Sequence, residues 1–470
     1  MRLMFAGLAL ALLVSACSSA PERAPEQVPP ETPPPEQPIL DPTEEAYESI
    51  SLAMSIGDPA DAIAAYQEAE LEDPDAPETR VLLANLYLAA GDPAAARGVL
   101  EQVLEETPEN AGALLALALL EGFDGERRRE RELLQRAVAA DPANAQAQAA
   151  LGESELRDRD YDDAERAFQA SLEQDPDNLV AMIGLGNVKL RTEEPEQAEE
   201  ILTAAIETDP DYSFAYADRS RARAMQYELS DALDDLDQAV ELEPDFLWHR
   251  YDRGLVRLER NDFEGAVEDF SWVIERDPSI FLTYVYRARA WDRQGRRDAA
   301  IADYEAALNQ RPDYHPGYAP LAVLYFEQER YADAAAYFRR AWDGGNPNDP
   351  RDHGYVFMAA GAWKMAGETQ RATSFVEEAA PELPRPGLWY DMARYYLRPM
   401  SDGYILRQVR DEDDRFLQSR MQFYLALQYE ALERTRSAAA LYREVSESDL
   451  RGFIETRLAT LRLNALETPN

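Results

Sequence analysis

Residues 175–210 read DPDNLVAMIGLGNVKLRTEEPEQAEEILTAAIETDP, from Asp175-Pro176 to Asp209-Pro210, and hold one full period of the chain. Working outward, Pro74, Pro108, Pro142, Pro176, Pro210, Pro244, Pro278 and Pro312 follow one another at the same constant interval. A proline cannot continue a helix and biases the residue before it away from the helical region, so each one closes a helix at a fixed phase. Twelve residues before this phase comes Ala62, Ala96, Ala164, Ala198, Ala232, Ala266, Ala300 or Ala334, with Glu130 the exception. Twelve residues further back the side chain is small: Ala84, Ala118, Gly152, Gly186, Ser220, Gly254, Ala288, Ala322. Eight residues before the proline phase it is large and apolar, as in Leu100, Leu134, Phe168, Leu202, Leu236, Phe270 and Tyr304. The spacing predicts two antiparallel helices per period. Small residues let the backbones approach, and the large one fills the gap to the next pair. Turn signals such as Gly91-Asp92-Pro93 separate the helices: Asp caps the second, and Pro opens it.

The 34-residue small/large/Pro pattern resembles the tetratricopeptide repeat (TPR) family. The resemblance implies an all-α fold, a TPR α-solenoid of about 10–11 helix-turn-helix repeats in a right-handed superhelix. Nine repeats occupy 43–348. The phase then slips by about four residues at Asp343–Pro350, which reads as a hinge or domain boundary. Residues 349–470 read as a TPR-like helical region: a tenth repeat, a less regular stretch over 387–418, a last repeat near Leu425–Tyr442 and a capping helix over about 450–466.

Ahead of the repeats, Arg2 precedes an apolar run, Leu3 to Val14, that is too short to span a bilayer. Charge, apolar run and small residues form the order of a secretory signal. The ending Val14-Ser15-Ala16-Cys17 resembles the lipobox of bacterial lipoproteins, which implies a signal peptide over 1–16 and a lipid on Cys17, the chain's one cysteine. Acyl chains of this kind moor a soluble domain without a transmembrane helix. Ser18 follows, where Asp favours retention in the inner membrane of enterobacterial lipoproteins. The resemblance therefore points to a periplasm-facing outer-membrane anchor, with the inner membrane left open. Residues 17–42 carry nine prolines and read as an extended linker.

The 47 Lys+Arg against 90 Asp+Glu give a net charge of −43, which argues against nucleic acid and anionic lipid surfaces as partners. Residues 18–212 carry −32, 213–348 carry −9 and 349–470 carry −3, so a partner docks more readily on the second half. Three scattered histidines, His249, His315 and His353, make no metal cluster. No phosphate loop, HExxH or GxSxG is present. The expectation is therefore no catalytic residues, no metal, no cofactor and no small-molecule substrate; an enzyme would need its site in 387–418.

In TPR relatives the first helix of each pair lines a concave groove through positions 2, 5, 9 and 12–13. Here the resemblance places Phe214, Ala217, Arg221 and Met225; Trp248, Tyr251, Leu255 and Leu258; and Leu282, Val285, Arg289 and Arg293 in that groove. Phe214, Arg221, Met225, Trp248, Tyr251, Leu255, Arg289 and Arg293 are the candidate binding residues, aromatic anchors flanked by guanidiniums that suit an acidic protein or peptide. Whether the arginines meet a ligand or pair within the array stays open at this point. Arg219, Arg253 and Arg287, again one period apart, read as a structural ladder beside acids such as Asp218, Asp252 and Asp303. Lipobox, linker and repeats together resemble envelope adaptor lipoproteins, and Trp389–Leu397 with the Phe423–Val445 repeat resembles the end of the new lipoprotein I family. That implies a membrane-tethered, non-enzymatic scaffold for protein partners in cell-wall remodelling. The alternative class assembles pili or outer-membrane proteins.

Overall fold

The computed structural model describes residues 50–51, 53, 59–68, 75–346, 349–398, 402–448 and 452–467. The signal sequence, Cys17 and the proline-rich linker lie outside the described residues. The described chain holds 24 α-helices, two short 3-10 turns and no strand, and it divides into two compact units between Glu228 and Leu229.

The first unit contains α1 (Pro59–Glu68), α2 (Pro77–Ala89), α3 (Pro93–Glu106), α4 (Ala111–Asp124), α5 (Arg127–Ala140), α6 (Ala145–Asp158), α7 (Tyr161–Gln174), α8 (Leu179–Arg191), α9 (Pro195–Thr208) and α10 (Ser213–Met225). Local chemistry repeats with the period. Asn110, Asn144 and Asn178 cap α4, α6 and α8, each accepting the amide of the residue three further on at 2.8–3.0 Å. Asp92 caps α3 in the same way at 3.0 Å, as the Gly91-Asp92-Pro93 signal requires. The link between first and second helix passes through a left-handed residue at Gly91, Gly125, Arg159 and Glu193, one period apart, with φ of 76°, 84°, 69° and 61°. Packing follows the small/large rule. The buried Phe168 ring fills the space beside Gly152 of its own repeat and Gly184 of the next; a Cβ would sit 2.7 and 2.2 Å from it. The exception, Glu130, is buried where its counterparts are alanine. Gly122 makes the room, since a Cβ there would stand 2.6 Å from its carboxylate, and Arg157 of α6 pairs with it at 2.7 Å.

The second unit contains α11 (Leu229–Leu242), α12 (Leu247–Glu259), α13 (Phe263–Arg276), α14 (Phe281–Arg293), α15 (Arg297–Gln310), α16 (Tyr318–Glu327), α17 (Tyr331–Asp343), α18 (Pro350–Met365), α19 (Thr369–Ala379), α20 (Leu388–Leu397), α21 (Asp402–Arg410), α22 (Arg415–Ala431), α23 (Thr435–Ser446) and α24 (Ile454–Glu467). The border between units lies between the two helices of the sixth repeat. The phase slip at 343–350 lies inside the second unit instead: one core runs from Val285 to Leu463 across it, and Arg339 of α17 pairs with Glu378 of α19 at 2.8 Å. The irregular stretch packs into that core through Trp389, Tyr395 and Tyr396, and its polar groups find partners: Tyr395 donates to Asp402 at 2.6 Å, and Tyr396 to the Tyr424 carbonyl at 2.6 Å.

The last helix does more than cover the preceding repeat. Arg457 of α24 reaches Asp292 of α14 at 2.7 and 2.8 Å and Glu327 of α16 at 2.6 and 2.8 Å, 165 and 130 residues back. Arg462 donates to Tyr331 at 2.8 Å and to Glu430 at 2.5 Å. Arg420, Tyr424 and Glu455 form a buried network that ties α22 to α24, with Arg420 also donating to the Pro350 and Arg351 carbonyls at 2.8 and 2.9 Å.

Candidate functional site

The expected binding residues fall on both sides of the border between units. In the second unit, Trp248, Tyr251 and Leu255 stand at i, i+3 and i+7 on α12 and so share one stripe. Trp248 is 45% exposed and meets Tyr251 edge-on, with ring centroids 5.3 Å apart. Tyr251 is buried and packs at 6.0 Å against Tyr286 of α14, which stacks on Phe270 at 5.9 Å. Burial pushes the Tyr251 hydroxyl well above the usual tyrosine range, so it is a neutral hydrogen-bonding group. Leu255 is half-buried in the same cluster. Arg289 is exposed, its guanidinium 5.8 Å from the Tyr286 ring, and it has no ion pair among the described residues. The outcome is an anchored indole and a free cation on adjacent helices. Arg293 points elsewhere, 4.9 Å over Phe263 and donating to Asn261 at 3.2 Å. Next to it, positions 12 and 13 of repeats eight and nine (Asp292 and Glu327) are taken by α24 through Arg457.

In the first unit, the Phe214 ring lies 5.5 Å from Tyr212, Arg221 pairs with Asp218 one turn earlier at 2.8 Å, and Met225 is 42% exposed. That unit also holds a hollow of about 490 Å³ lined by Leu156, Arg157, Arg159, Tyr161, Asn187 and Arg191. Sequence reasoning missed it, although Arg157 and Arg191 occupy the same position of successive repeats. Arg157 is committed to buried Glu130, and Asn187 donates to Asp218 at 2.8 Å and to the Ile183 carbonyl at 3.0 Å. Arg159 and Arg191 carry no ion pair among the described residues, leaving two cations in the most acidic stretch of the chain.

The arginine ladder is present, and its partners obey a rule the sequence reading had only in part. Arg253 grips Asp269, sixteen residues on, at 2.6 and 3.0 Å, and Asp237, sixteen residues back, at 2.8 Å. Arg287 grips Asp303 at 2.7 and 2.8 Å and Ser271 at 3.0 Å, at the same offsets. Arg219 donates to Thr203, sixteen back, at 3.2 Å. Of the three acids expected beside the ladder, Asp303 is a rung and Asp218 instead holds Arg221 and Asn187. The recurrence of Asp235, Asp269 and Asp303 once per period was the available signal.

From α2 to α15, helices of 13–14 residues, a left-handed link in each period and the interlocked small and large positions leave one family to compare. Models of the tetratricopeptide repeat match residues 53–120 and 155–224, and a second model of the same description matches 115–178 and 251–315. The chain belongs to the tetratricopeptide repeat family. Arrays of this family are scaffolds for protein interaction. Among curated proteins it resembles the general transcriptional corepressor trfA of Dictyostelium discoideum, 32% identical over 108 residues, which are 22% of this chain. The match spans 7% of that relative's length. Among solved structures it is similar to MamA, with 26% identity, TM-score 0.33 and coverage of 36% of this chain and 92% of that one. YrrB, described as a TPR protein with an unusual peptide-binding site, matches with 23% identity, TM-score 0.34 and coverage of 39% and 95%.

Among the described TPR helices, none is long and apolar enough to cross a membrane, and no three His, Cys, Asp or Glu side chains converge as a metal site.

Proposed function

We propose that this TPR protein is a membrane-tethered adaptor of the bacterial envelope, held by a lipid on Cys17 at the outer membrane and set off from it by the proline-rich linker. Its partners are proteins of the periplasm, in cell-wall remodelling, captured on the first-helix face of α12 and α14. The observation that carries the reading is the exposed Trp248, seated edge-on against Tyr251, with unpaired Arg289 on the adjacent helix. A large rigid ring on a buried base is the kind of anchor that dominates interface energies, and a guanidinium beside it selects an acidic residue. Because α24 covers positions 12 and 13 of repeats eight and nine, the proposed face is short, about the span of two first helices. Residues 349–470, and the buried aromatic core within them, support the scaffold and hold α24 in place.

The test is capture in the native cell by cross-linking, followed by pull-down of the same partners with purified variants. Trp248→Ala combined with Arg289→Glu is expected to abolish capture while the helical circular dichroism stays unchanged. Retained capture would refute the assignment of this face. Cys17→Ala tests the tether independently: the chain should leave the membrane fraction and incorporate no labelled palmitate.

A further inference from the structure

The side of α12 opposite the aromatic stripe breaks the repeat rule. Arg250, Arg253 and Arg257 have the same i, i+3, i+7 spacing as Trp248, Tyr251 and Leu255 but start two residues later, about 200° around the helix. In α10 and α14 the corresponding triplets are Tyr216-Arg219-Arg223 and Tyr284-Arg287-Trp291. There the ladder arginine lies 5.7 Å from the tyrosine ring one turn before it. In repeat seven that tyrosine is Arg250. Two further departures accompany it on α13. Trp272 stands where α11 and α15 have Gln238 and Ala306, and Arg276 where they have Leu242 and Gln310. The three departures meet in space: Arg250 and Arg276 lie 4.4 and 3.4 Å from the Trp272 ring.

Arg250 stands outside the close pairing at this place, where Asp237 and Asp262 also meet Arg253 and Arg257. Asp269, 1% exposed, is the acid the arginines share, and both of its oxygens are taken, by Arg253 at 2.6 and 3.0 Å and by Arg257 at 2.8 Å. Arg250 comes no closer to it than 3.9 Å and makes no hydrogen bond among the described residues; its Nε is a buried donor without a partner. Burial and the neighbouring cations Arg253, Arg276 and Arg257 hold the Arg250 guanidinium below the usual arginine range, which agrees with a surplus charge. The flanking repeats show that the ladder works with a tyrosine here. A fixed cation with free donors therefore costs stability that the fold does not need to spend.

We propose that Arg250, Trp272 and Arg276 form a second binding site, on the side of α12 away from the aromatic stripe, that takes a carboxylate side chain of a protein partner. A planar carboxylate matches the guanidinium fork in two parallel hydrogen bonds, and the methylene stem of Glu packs on the indole. A polyanion is disfavoured because the chain carries −43 overall. The site is independent of the Trp248 face, so either can fail without the other.

The experiment titrates an N-acetyl tetraglutamate amide, and separately inorganic phosphate, into the full chain by calorimetry at matched ionic strength. Saturable peptide binding is expected, and it should weaken about tenfold in Arg250→Tyr, which installs the residue of the flanking repeats and so preserves the fold. Arg276→Gln, again a flanking residue, should weaken it as well. No saturable binding, equal binding by Arg250→Tyr and wild type, or phosphate binding as tight as the peptide would each overturn the carboxylate site.

Discussion

Replacing Gly184 by alanine tests the interlock that sets the spacing of the helix pairs. An added Cβ would stand 2.2 Å from Cζ and 2.4 Å from Cε1 of Phe168, a fully buried ring that also fits so closely beside Gly152 that a Cβ there would lie 2.7 Å from it. One methyl group must therefore push α7 and α8 apart. Overpacking costs about 1–3 kcal/mol, and an approach this short belongs in the upper part of that range, about 2–3 kcal/mol. Alanine returns about 1 kcal/mol as the better helix former. The expected net is a loss of about 1–2 kcal/mol. The previous repeat supplies the control: there the large residue is Leu134, and the residue matching Gly184 is Ala150. Phe168→Leu alone leaves a cavity and costs about 1–2 kcal/mol. Combined with Gly184→Ala it recreates the Leu134/Ala150 pair, so the double variant should lose much less than the sum. Urea unfolding followed by circular dichroism measures all four chains. A neutral or stabilising Gly184→Ala, or strictly additive losses, would refute the size-matching argument.

Asp269→Asn should be among the most destabilising single changes in the second unit, by about 3–5 kcal/mol in the same assay, because it removes the buried charge that half-buried Arg253 and Arg257 share. Burial pushes the Lys364 ammonium down to about 8; its nearest partners are the neutral Gln428 side chain at 2.7 Å and the Tyr396 ring. Because the folded value lies below the ordinary lysine value, the unfolded chain holds the extra proton above about pH 8, and stability should rise with pH from there to about pH 10. Lys364→Met should abolish that rise, read as the difference between the two pH–stability curves. Burial raises the Glu327 carboxyl, but hydrogen bonds from Arg457 and Arg297 outweigh it and hold the group below its ordinary value. Its bond to α24 is thus fully formed above the ordinary glutamate range and weakens as pH falls through the folded value. Arg457→Glu should release α24, seen as faster hydrogen exchange over 454–467 with little change in α12. Glu193→Gly, at an exposed left-handed position, should stabilise the first unit by up to about 1 kcal/mol.

Much of this architecture is legible residue by residue. Pro176 and Pro210 mark where helices stop, Ala164 and Gly152 mark where they touch, and Asp92-Pro93 marks where one begins. Each is a local statement about backbone or close approach, so the period reveals it. The ladder was half legible. Arg253 and Arg287 declared themselves by spacing, but their acids lie sixteen residues away on the partner helix, and nearer carboxylates such as Asp252 looked equally good in one dimension. The stripe of the proposed binding face was legible in Trp248 and Tyr251, because a 3.6-residue period puts them on one side of the helix. It was misleading at Arg293, whose side chain folds back over Phe263.

By itself the sequence determined an array of periodic helix hairpins, because each hairpin is built from contacts between residues near in the chain. Only the tertiary structure decided where the array divides, between Glu228 and Leu229 and not at the slip in phase, since both sides of the slip bury their apolar residues in one core. It alone placed α24 on α14 and α16 through Arg457, and it alone left Arg250 at 3.9 Å from an Asp269 carboxylate that Arg253 and Arg257 already fill. Those outcomes depend on which distant side chains compete for the same acid or the same apolar space, and no periodicity encodes that competition.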